Sequence, residues 1–550
     1  MRFWSVLFLS FFTLLNIAQT ELASGSESWI VDTDPAQNAQ DIEVTSPIFL
    51  TFDRTLDPAS VNDSTITLFG RNSGRHVCGI LYDSITSTVF VQPSINFIAG
   101  ERVTAAVTCD IVSDVGDTMP CSFSWTFWAK VDTSTTGIYT LDSLLPAGDS
   151  PSSAVAADLD GDGDIDLAVA NRYSNDISII FNDGLGNFTQ GPLYPVGLHP
   201  FSIVAIDLDN EGNPDLAVTN LWSNDVTILE NIGDGVFAPV AVVPVYEAPW
   251  SIDYADFDGN GLIDLVTANA GSDNVTILLN TGSFDFALQP PIAVGASPRS
   301  VFVADFDNDG DPDMASANAE DANISILINT GDGSFYERQS IPVGTYPVSL
   351  TGADFDVDGD IDLASANREA QNISILRNNG RGYFAVPASY AADDEPFMLC
   401  TGDFNGNGHF DIAAADCFLG CVKVLIGNGD GSFNAHSCYP VGTNPTSVLA
   451  ADLDWDGNLD LLTTNSYSND LSILFEEKSF VCGDCNGSGY CDIDDVVYML
   501  DYLFATRPAP DPYYSADVDC SRQVDIDDAV YLIGYVFLAG PIPCQDCPVY

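Results

Sequence analysis

Through the middle of this chain, apolar residues fall in short β-branched runs separated by polar turns. Ser202 to Ile206 is one such run, and it leads directly into a stretch crowded with Asp. Asp166 to Ala170 leaves the preceding acidic stretch as a second run. Ile177 to Phe181 follows after the polar turn Arg172 to Asn175, and Gly184-Leu185-Gly186 turns the chain into a fourth run near Phe188. Runs of this kind, bounded by Gly, Asn and Asp, predict strands, and the tight Gly turn predicts a hairpin. The local unit is therefore expected to be a four-stranded antiparallel meander.

The unit repeats. The segment from Asp158 to Asp166 recurs at Asp207, Asp256, Asp305, Asp354, Asp403 and Asp452, always 49 residues on and without insertion. Phe188 recurs as Phe237, Phe286, Phe335, Phe384 and Phe433, and Pro200 as Pro249, Pro298, Pro347, Pro396 and Pro445. Asn171 recurs as Asn220, Asn269, Asn318, Asn367 and Asn465, with Asp416 in the sixth copy. Four strands per repeat of about 45–50 residues make a propeller blade, whereas a parallel β-helix needs shorter rungs. The fold class expected is mainly β, with a seven-bladed β-propeller over residues 133–480. Copy seven stops at Phe475 without a fourth strand, while Gly137 to Gly148 stands unmatched before copy one. That piece is expected to complete the last blade and so remove an open sheet edge.

The motif Asp-x-Asp-x-Asp-Gly-x-x-Asp, followed by Gly-x-Gly-x-Phe, resembles the FG-GAP or VCBS repeats of integrin-like propellers. Side chains at loop positions 1, 3, 5 and 9, a carbonyl at 7 and a Gly at 6 also meet what a calcium ion requires: six to eight oxygens around a sharp turn. Ca2+ is the expected cofactor. The expected ligands are Asp158, Asp160, Asp162, Asp166 and the carbonyl of Asp164 in loop one, and Asp207, Asp209, Glu211 and Asp215 in loop two. Loop three offers Asp256, Asp258, Asn260 and Asp264; loop four, Asp305, Asp307, Asp309 and Asp313; loop five, Asp354, Asp356, Asp358 and Asp362. Loop seven offers Asp452, Asp454, Asp456 and Asp460. Loop six has only Asp403 and Asp411 as acids, with Asn405 and Asn407 between, and is expected to bind most weakly. The plain alternative is a set of solvated acidic hairpins, which leaves the repeated spacing unexplained.

Residues 28–131 form a separate unit of alternating strands, read at Ile48 to Phe52, Thr65 to Leu68, Thr88 to Val91 and Val103 to Val107. They predict a β-sandwich. The segments Asp53 to Ser60 and Trp125 to Phe127 resemble a bacterial Ig-like domain, which implies a spacer. Residues 481–550 carry a second duplication. Asp484, Asn486, Ser488, the carbonyl at Tyr490, Asp492 and Asp495 make a twelve-residue calcium pattern, repeated as Asp517, Asp519, Ser521, Gln523, Asp525 and Asp528. An apolar helical stripe follows each: Val496, Met499, Leu500, Leu503, Phe504, then Ala529, Leu532, Ile533, Val536, Phe537. This small α module resembles a type I dockerin, which implies a cohesin-like partner. Ser488 and Ser521 depart from that pattern at position 5, as does Arg522 at position 6, which puts calcium in the second loop in doubt.

Residues 1–20, Arg2 followed by an apolar run, read as a signal peptide, a membrane anchor being the alternative. The protein is thus expected to be secreted or at a bacterial cell surface, with no membrane span and as a monomer. Its cysteines are expected in disulfides: Cys109 with Cys121, Cys417 with Cys421, and Cys400 with Cys438, with Cys78 left over. Cys482, Cys485, Cys544 and Cys547 suit either disulfides or a zinc site. Asp and Glu number 79 against 16 Lys and Arg, a formal net charge of −63, which argues against nucleic acid as a partner.

Four scattered histidines, His76, His199, His409 and His436, sit in no catalytic motif. A binding or adhesion module is therefore expected; the dockerin resemblance keeps a glycoside hydrolase or lyase as the alternative. The calcium loops and Gly turns fall on one face of the ring. The opposite face carries Tyr173, Phe201, Trp222, Trp250, Tyr346, Phe397, Phe418 and Tyr467, aromatics suited to an extracellular glycan or protein, or alternatively to packing between blades.

Overall fold

The computed structural model describes residues 29–120, 123–131, 135–392, 394–478, 493–504, 529–530 and 532–533. The repeat unit folds as the strand pattern implies. Blade one is a sheet of Pro151–Ala157, Asp166–Asn171, Asp176–Asn182 and Phe188–Pro195, hydrogen-bonded in that order. Copies two to six give five further sheets of the same order. The last sheet takes Pro445–Ala451, Asp460–Asn465 and Asp470–Lys478 from copy seven and its outer strand, Thr135–Pro146, from the chain ahead of copy one. The closure is tied further where Glu476 Oε1 accepts from the Gly137 amide at 2.7 Å and the Tyr139 hydroxyl donates to the Leu459 carbonyl at 2.9 Å. The innermost strands touch in sequence, and Pro445–Ala451 returns to Pro151–Ala157, so the sheets form a closed propeller ring.

The second strand of every blade is buried on both faces, which is why it reads as unbroken apolar sequence. Alternate residues serve different neighbours: Ala168 and Ala170 pack toward blade two, Leu167 and Val169 toward blade seven. The repeated Phe has a matching role. Phe335, Phe384 and Phe433 each meet, edge-on at 5.3–5.6 Å, the residue that follows the first Asp of the acidic loop in the previous blade: Phe257, Phe306 and Phe355.

Residues 30–129 form two packed sheets. One runs Ile30–Asp34, Ile48–Phe52, Thr88–Pro93, Cys78–Asp83; the other Ala39–Ile42, Phe123–Ala129, Arg102–Val107, Ile66–Gly70, Gly74–His76. Trp125, Phe127, Ile48, Leu50, Val89 and Val91 fill the space between them. This sandwich is not a free spacer, which corrects the expectation from its resemblance. It sits on the acidic-loop face of the ring. Asn38 Nδ2 donates to Gly359 O and Gln40 Nε2 to Asp354 O, both at 2.9 Å, and Arg75 Nη1 donates to Asn210 O at 2.8 Å. Asp158 N donates to Asn72 O at 3.1 Å, and Trp128 packs edge-on against Phe410 at 5.3 Å. Arg71, Glu101, Arg102 and Trp128 reach into the central channel beside Asp253 and Tyr254 of the inner strands. Burial raises Asp253, and the Arg71 and Arg102 charges oppose that rise.

Ile493–Phe504 is a helix, and its buried Val496 and Met499 pack with Ala529 and Leu532, so the two apolar stripes of the C-terminal duplication meet. The loop residues Asp484, Asn486, Ser488, Asp492, Asp517, Asp519, Ser521, Asp525 and Asp528 lie outside the described residues, as do the Asp495 side chain, residues 1–20, Cys121 and the terminal cysteines.

The cysteine pairing in blade six differs from expectation. Cys421 is bonded to Cys438, with Cα atoms 5.7 Å apart, while Cys400 and Cys417 are free. Pairing of Cys421–Gly427 with Phe433–Pro440 sets Cys438 beside Lys423, diagonal to Cys421, whereas Cys417 Sγ turns toward the Glu395 carbonyl at 3.4 Å. Cys78 and Cys109 are free among the described residues, and Cys121, the expected partner of Cys109, lies outside them.

Candidate metal loops and the opposite mouth of the ring

Each acidic loop joins an inner strand to the strand beside it and is shaped by its own carboxylates. In loop two, Asp207 accepts from the amides of Glu211 at 3.0 Å and Gly212 at 2.9 Å. Asp256, Asp305, Asp354, Asp403 and Asp452 bind the same two positions of their loops, and Asp158 takes Gly161 and Gly163. The ninth-position carboxylate is buried and spans two strands. Asp264 accepts from Phe257 N at 2.8 Å and Asn280 N at 2.7 Å. Asp166, Asp215, Asp313, Asp362, Asp411 and Asp460 make the equivalent pair.

The sixth-position glycines, from Gly163 to Gly457, all have φ between 79° and 102°. Space is open around Gly163, Gly212, Gly359 and Gly408, so conformation selects Gly there, while a Cβ at Gly261 or Gly310 would also press on Thr108 or Phe123 of the Ig-like domain at 3.1–3.3 Å. The fourth position is also left-handed, filled by Gly161, Asn210, Gly259, Asn308, Val357, Gly406 and Trp455, with φ of 57–81°. Sequence reading missed that requirement, although Gly and Asn at five of the seven positions signal it.

The result is a convergence of oxygens. Ligand atoms of Asp158, Asp160 and Asp166 lie within 4.8 Å of one another, and Asp207, Asp209, Asp215; Asp256, Asp258, Asp264; Asp305, Asp307, Asp313; and Asp354, Asp356, Asp362 do the same. Burial, reinforced by neighbouring carboxylates, pushes Asp166 and Asp215 up to about 7 and Asp264 and Asp362 up to about 8. Oδ1 of Asp307 and of Asp356 is buried and meets no hydrogen-bond donor. Their other oxygens face Arg338 at 3.2 Å and Arg377 at 3.7 Å. Crowded, partly unsatisfied carboxylates with only oxygen donors fit a hard metal ion.

Fifth positions differ. Asp162, Asp309, Asp358, Asp456 and Asn407 accept the amide two residues on. Asn260 likewise accepts from Leu262 N but also donates Nδ2 to Asn280 O, and Glu211 is exposed. In loop six Asn405 Nδ2 donates to Asp411 Oδ2 at 3.0 Å, filling that carboxylate internally. The Asp164 side chain turns to Gly184, where a Cβ would fall 2.4 Å from Oδ1. Asp454 is half-buried in loop seven.

At the opposite end of the ring a cavity of about 250 Å³ opens. The residue after each repeated Pro lines it: Ser152, Phe201, Trp250, Arg299, Val348, Phe397 and Thr446, one per inner strand at the 49-residue spacing. The scaffold around these positions repeats; the side chains at them do not. Tyr346 and Tyr467 also line it, so five of the eight expected aromatics converge here. Tyr173 and Trp222 are exposed and flank His199, whose ring stacks on Trp222 at 4.0 Å. Phe418 is exposed at the blade-six hairpin, outside the cavity lining.

The mouth also holds Arg172, Arg299 and Arg368, which sequence reading did not select. Arg299 lies over Trp250, its Cζ 3.8 Å from the ring centroid, and Nη2 donates to the Tyr346 hydroxyl at 3.2 Å. Arg172 Nε donates to His199, and Arg368 pairs with Glu395 at 2.7 Å. In a chain so poor in basic residues, comparing the residue after each repeated Pro was the available signal for Arg299, and the residue after each repeated Asn for Arg172 and Arg368.

Residues 158–218, 207–267, 256–316, 305–365 and 354–414 match the FG-GAP-like repeat, and residues 28–128 match the bacterial Ig-like domain. No curated protein is matched by the chain. Among solved structures, BBS1N in complex with ARL6DN is similar at 16% identity over 63% of this chain and 98% of that one, with a TM-score of 0.46. Virginiamycin B lyase from Staphylococcus aureus is similar at 13% identity over 61% and 99%, TM-score 0.41. The periplasmic gluconolactonase of Pseudomonas aeruginosa is similar at 15% identity over 69% and 97%, TM-score 0.38. Among the described residues no helix is long and apolar enough to cross a membrane. The chain carries FG-GAP-like repeats, folded as propeller blades, behind a bacterial Ig-like domain.

Proposed function

We propose that this is a secreted, calcium-holding propeller that binds an extracellular ligand at the mouth opposite its acidic loops. The observation that carries the reading is the ring of seven matched positions at that mouth, where a repeating scaffold presents non-repeating side chains. A structural role would tolerate the same residue seven times; here six residue types occupy the seven positions, only Phe recurring, at 201 and 397. Calcium is the ion favoured for the loops, because the donors are carboxylates and carbonyls at flexible spacing, without His or Cys. These loops lie beneath the Ig-like domain, so their ions would brace the ring and that docking rather than touch the ligand. The C-terminal module is read as the attachment point, docking to a cohesin-like partner.

A glycan and protein array probed with the full chain in calcium tests the reading. Specific binding that Trp250→Ala abolishes, with unchanged melting temperature, is expected. Binding indifferent to Trp250→Ala and Phe397→Ala would place the ligand elsewhere.

A further inference from the structure

We infer that the ligand taken at this mouth is an acidic carbohydrate, its carboxylate or sulfate received by Arg299 and Arg172 and its sugar ring laid on Tyr467, which is exposed in the same lining. The inference rests on the mouth being the binding site and adds the chemistry of what enters. The chain has 16 basic residues and a formal net charge of −63, so its general field repels anions. Three of those few cations nevertheless line one cavity of about 250 Å³.

Their surroundings leave charge uncompensated. Arg299 is half-buried, and among the described residues no carboxylate pairs with it. Its Nε is buried without a hydrogen-bond partner. Glu320 acts on it without forming a salt bridge. Arg172 spends Nε on neutral His199 and likewise has no paired acid. Arg368 alone is neutralised, by Glu395. A guanidinium withdrawn from water without a counter-charge is costly, and an incoming anion relieves that cost through a charge-assisted, bidentate contact.

The same geometry selects a sugar over an acidic peptide. An extended peptide docks by adding main-chain hydrogen bonds to a free strand edge. Here edge amides of three neighbouring inner strands are already taken up across the blades: Leu350 N donates to Ser300 Oγ at 3.0 Å, Leu399 N to Ser349 Oγ at 3.1 Å and Val301 N to Ser251 Oγ at 3.4 Å. What remains for a ligand is ring faces and guanidinium planes. Phe201 is buried against Trp250 at 4.2 Å and Arg299 covers the Trp250 ring, so these two aromatics fix the guanidinium, while Tyr467, exposed in the same cavity lining, leaves a ring face open to a sugar.

The test is titration calorimetry on the full chain in calcium with four probes: oligogalacturonate, its methyl ester, a sulfated galactan oligosaccharide and hexaglutamate. Oligogalacturonate or the sulfated oligosaccharide should bind, and which one binds separates carboxylate from sulfate. Arg299→Gln and Arg172→Gln should each weaken that binding tenfold or more at unchanged melting temperature, while Arg54→Gln in the Ig-like domain should leave it intact. Arg172→Gln keeps the test open if Arg299→Gln unfolds. Equal affinity for the methyl ester would overturn the anion and leave the mouth as a sugar site. Tighter binding of hexaglutamate, or binding of neither acidic oligosaccharide, would overturn the inference, the array judging the mouth separately.

Discussion

Asn280 Nδ2 donates to the main-chain carbonyl of Leu208, 2.8 Å away in the neighbouring blade. The same amide reaches Ile263 O at 3.1 Å, and the Asn280 backbone N–H holds Asp264. One side chain thus ties an acidic loop to its own blade and to the next. Asn182, Asn231, Asn329 and Asn378 repeat the latch onto Leu453, Leu159, Phe257 and Phe306. Gly427 and Glu476 stand at the equivalent positions in copies six and seven.

Asn280→Ala should therefore strand the buried Leu208 carbonyl and the partly buried Ile263 carbonyl and cost about 2–6 kcal/mol, at about 1–3 for each. Chemical denaturation in saturating calcium measures it. A cost below that of an exposed substitution would mean that the latch contributes nothing net.

Val357 has φ 59° and is exposed in loop five. A β-branched residue is strained there, while Asn tolerates it. Val357→Asn should stabilise the protein by about 1 kcal/mol, seen as a higher denaturant midpoint. No gain would show that Val357 makes a compensating contact.

Removing metal should lower the melting temperature of the ring, because crowded carboxylates such as half-buried Asp305 and Asp307 and buried Asp313 lose their counter-ion. Asp305→Ala should release more bound metal than Asp403→Ala, since Asn405 already occupies Asp411. Metal analysis after dialysis decides: equal losses would refute the ranking.

The Ig-like domain and the ring should melt together. Hydrogen bonds from Asn38, Gln40 and Arg75 to loop carbonyls, and Trp128 against Phe410, join the two. Scanning calorimetry should give one transition for both, and Trp128→Ala should split it. Two separate transitions in the unaltered protein would contradict the docking.

His199 gives a pH dependence. Burial, then the Arg172 charge, pushes its imidazole down to about 4. An unfolded His titrates near about 6.5, so between those values the unfolded chain binds more protons. The stability that neutral His199 supplies is present above pH 6.5 and lost as pH falls toward 4. His199→Gln, which still accepts from Arg172, should melt with a shallower acid dependence than the parent between pH 6.5 and 4.5. Identical slopes would remove His199 from the account.

The sequence by itself determined the blade. A strict 49-residue period carries strand, loop and turn signals in one phase, and local hydrogen bonding is enough to convert those signals into a four-stranded sheet. It also determined the closing strand, because an unpaired sheet edge demands a partner and Gly137 to Gly148 was the matching piece. The acidic loops were legible for the same reason: their ligands lie within nine residues. Contacts between distant segments were not. The docking of the Ig-like domain, the Cys421–Cys438 bond and the meeting of Arg172, Arg299 and Arg368 depend on where separate blades and domains come to rest. Only the closed ring brings seven positions, each 49 residues from the next, around one mouth.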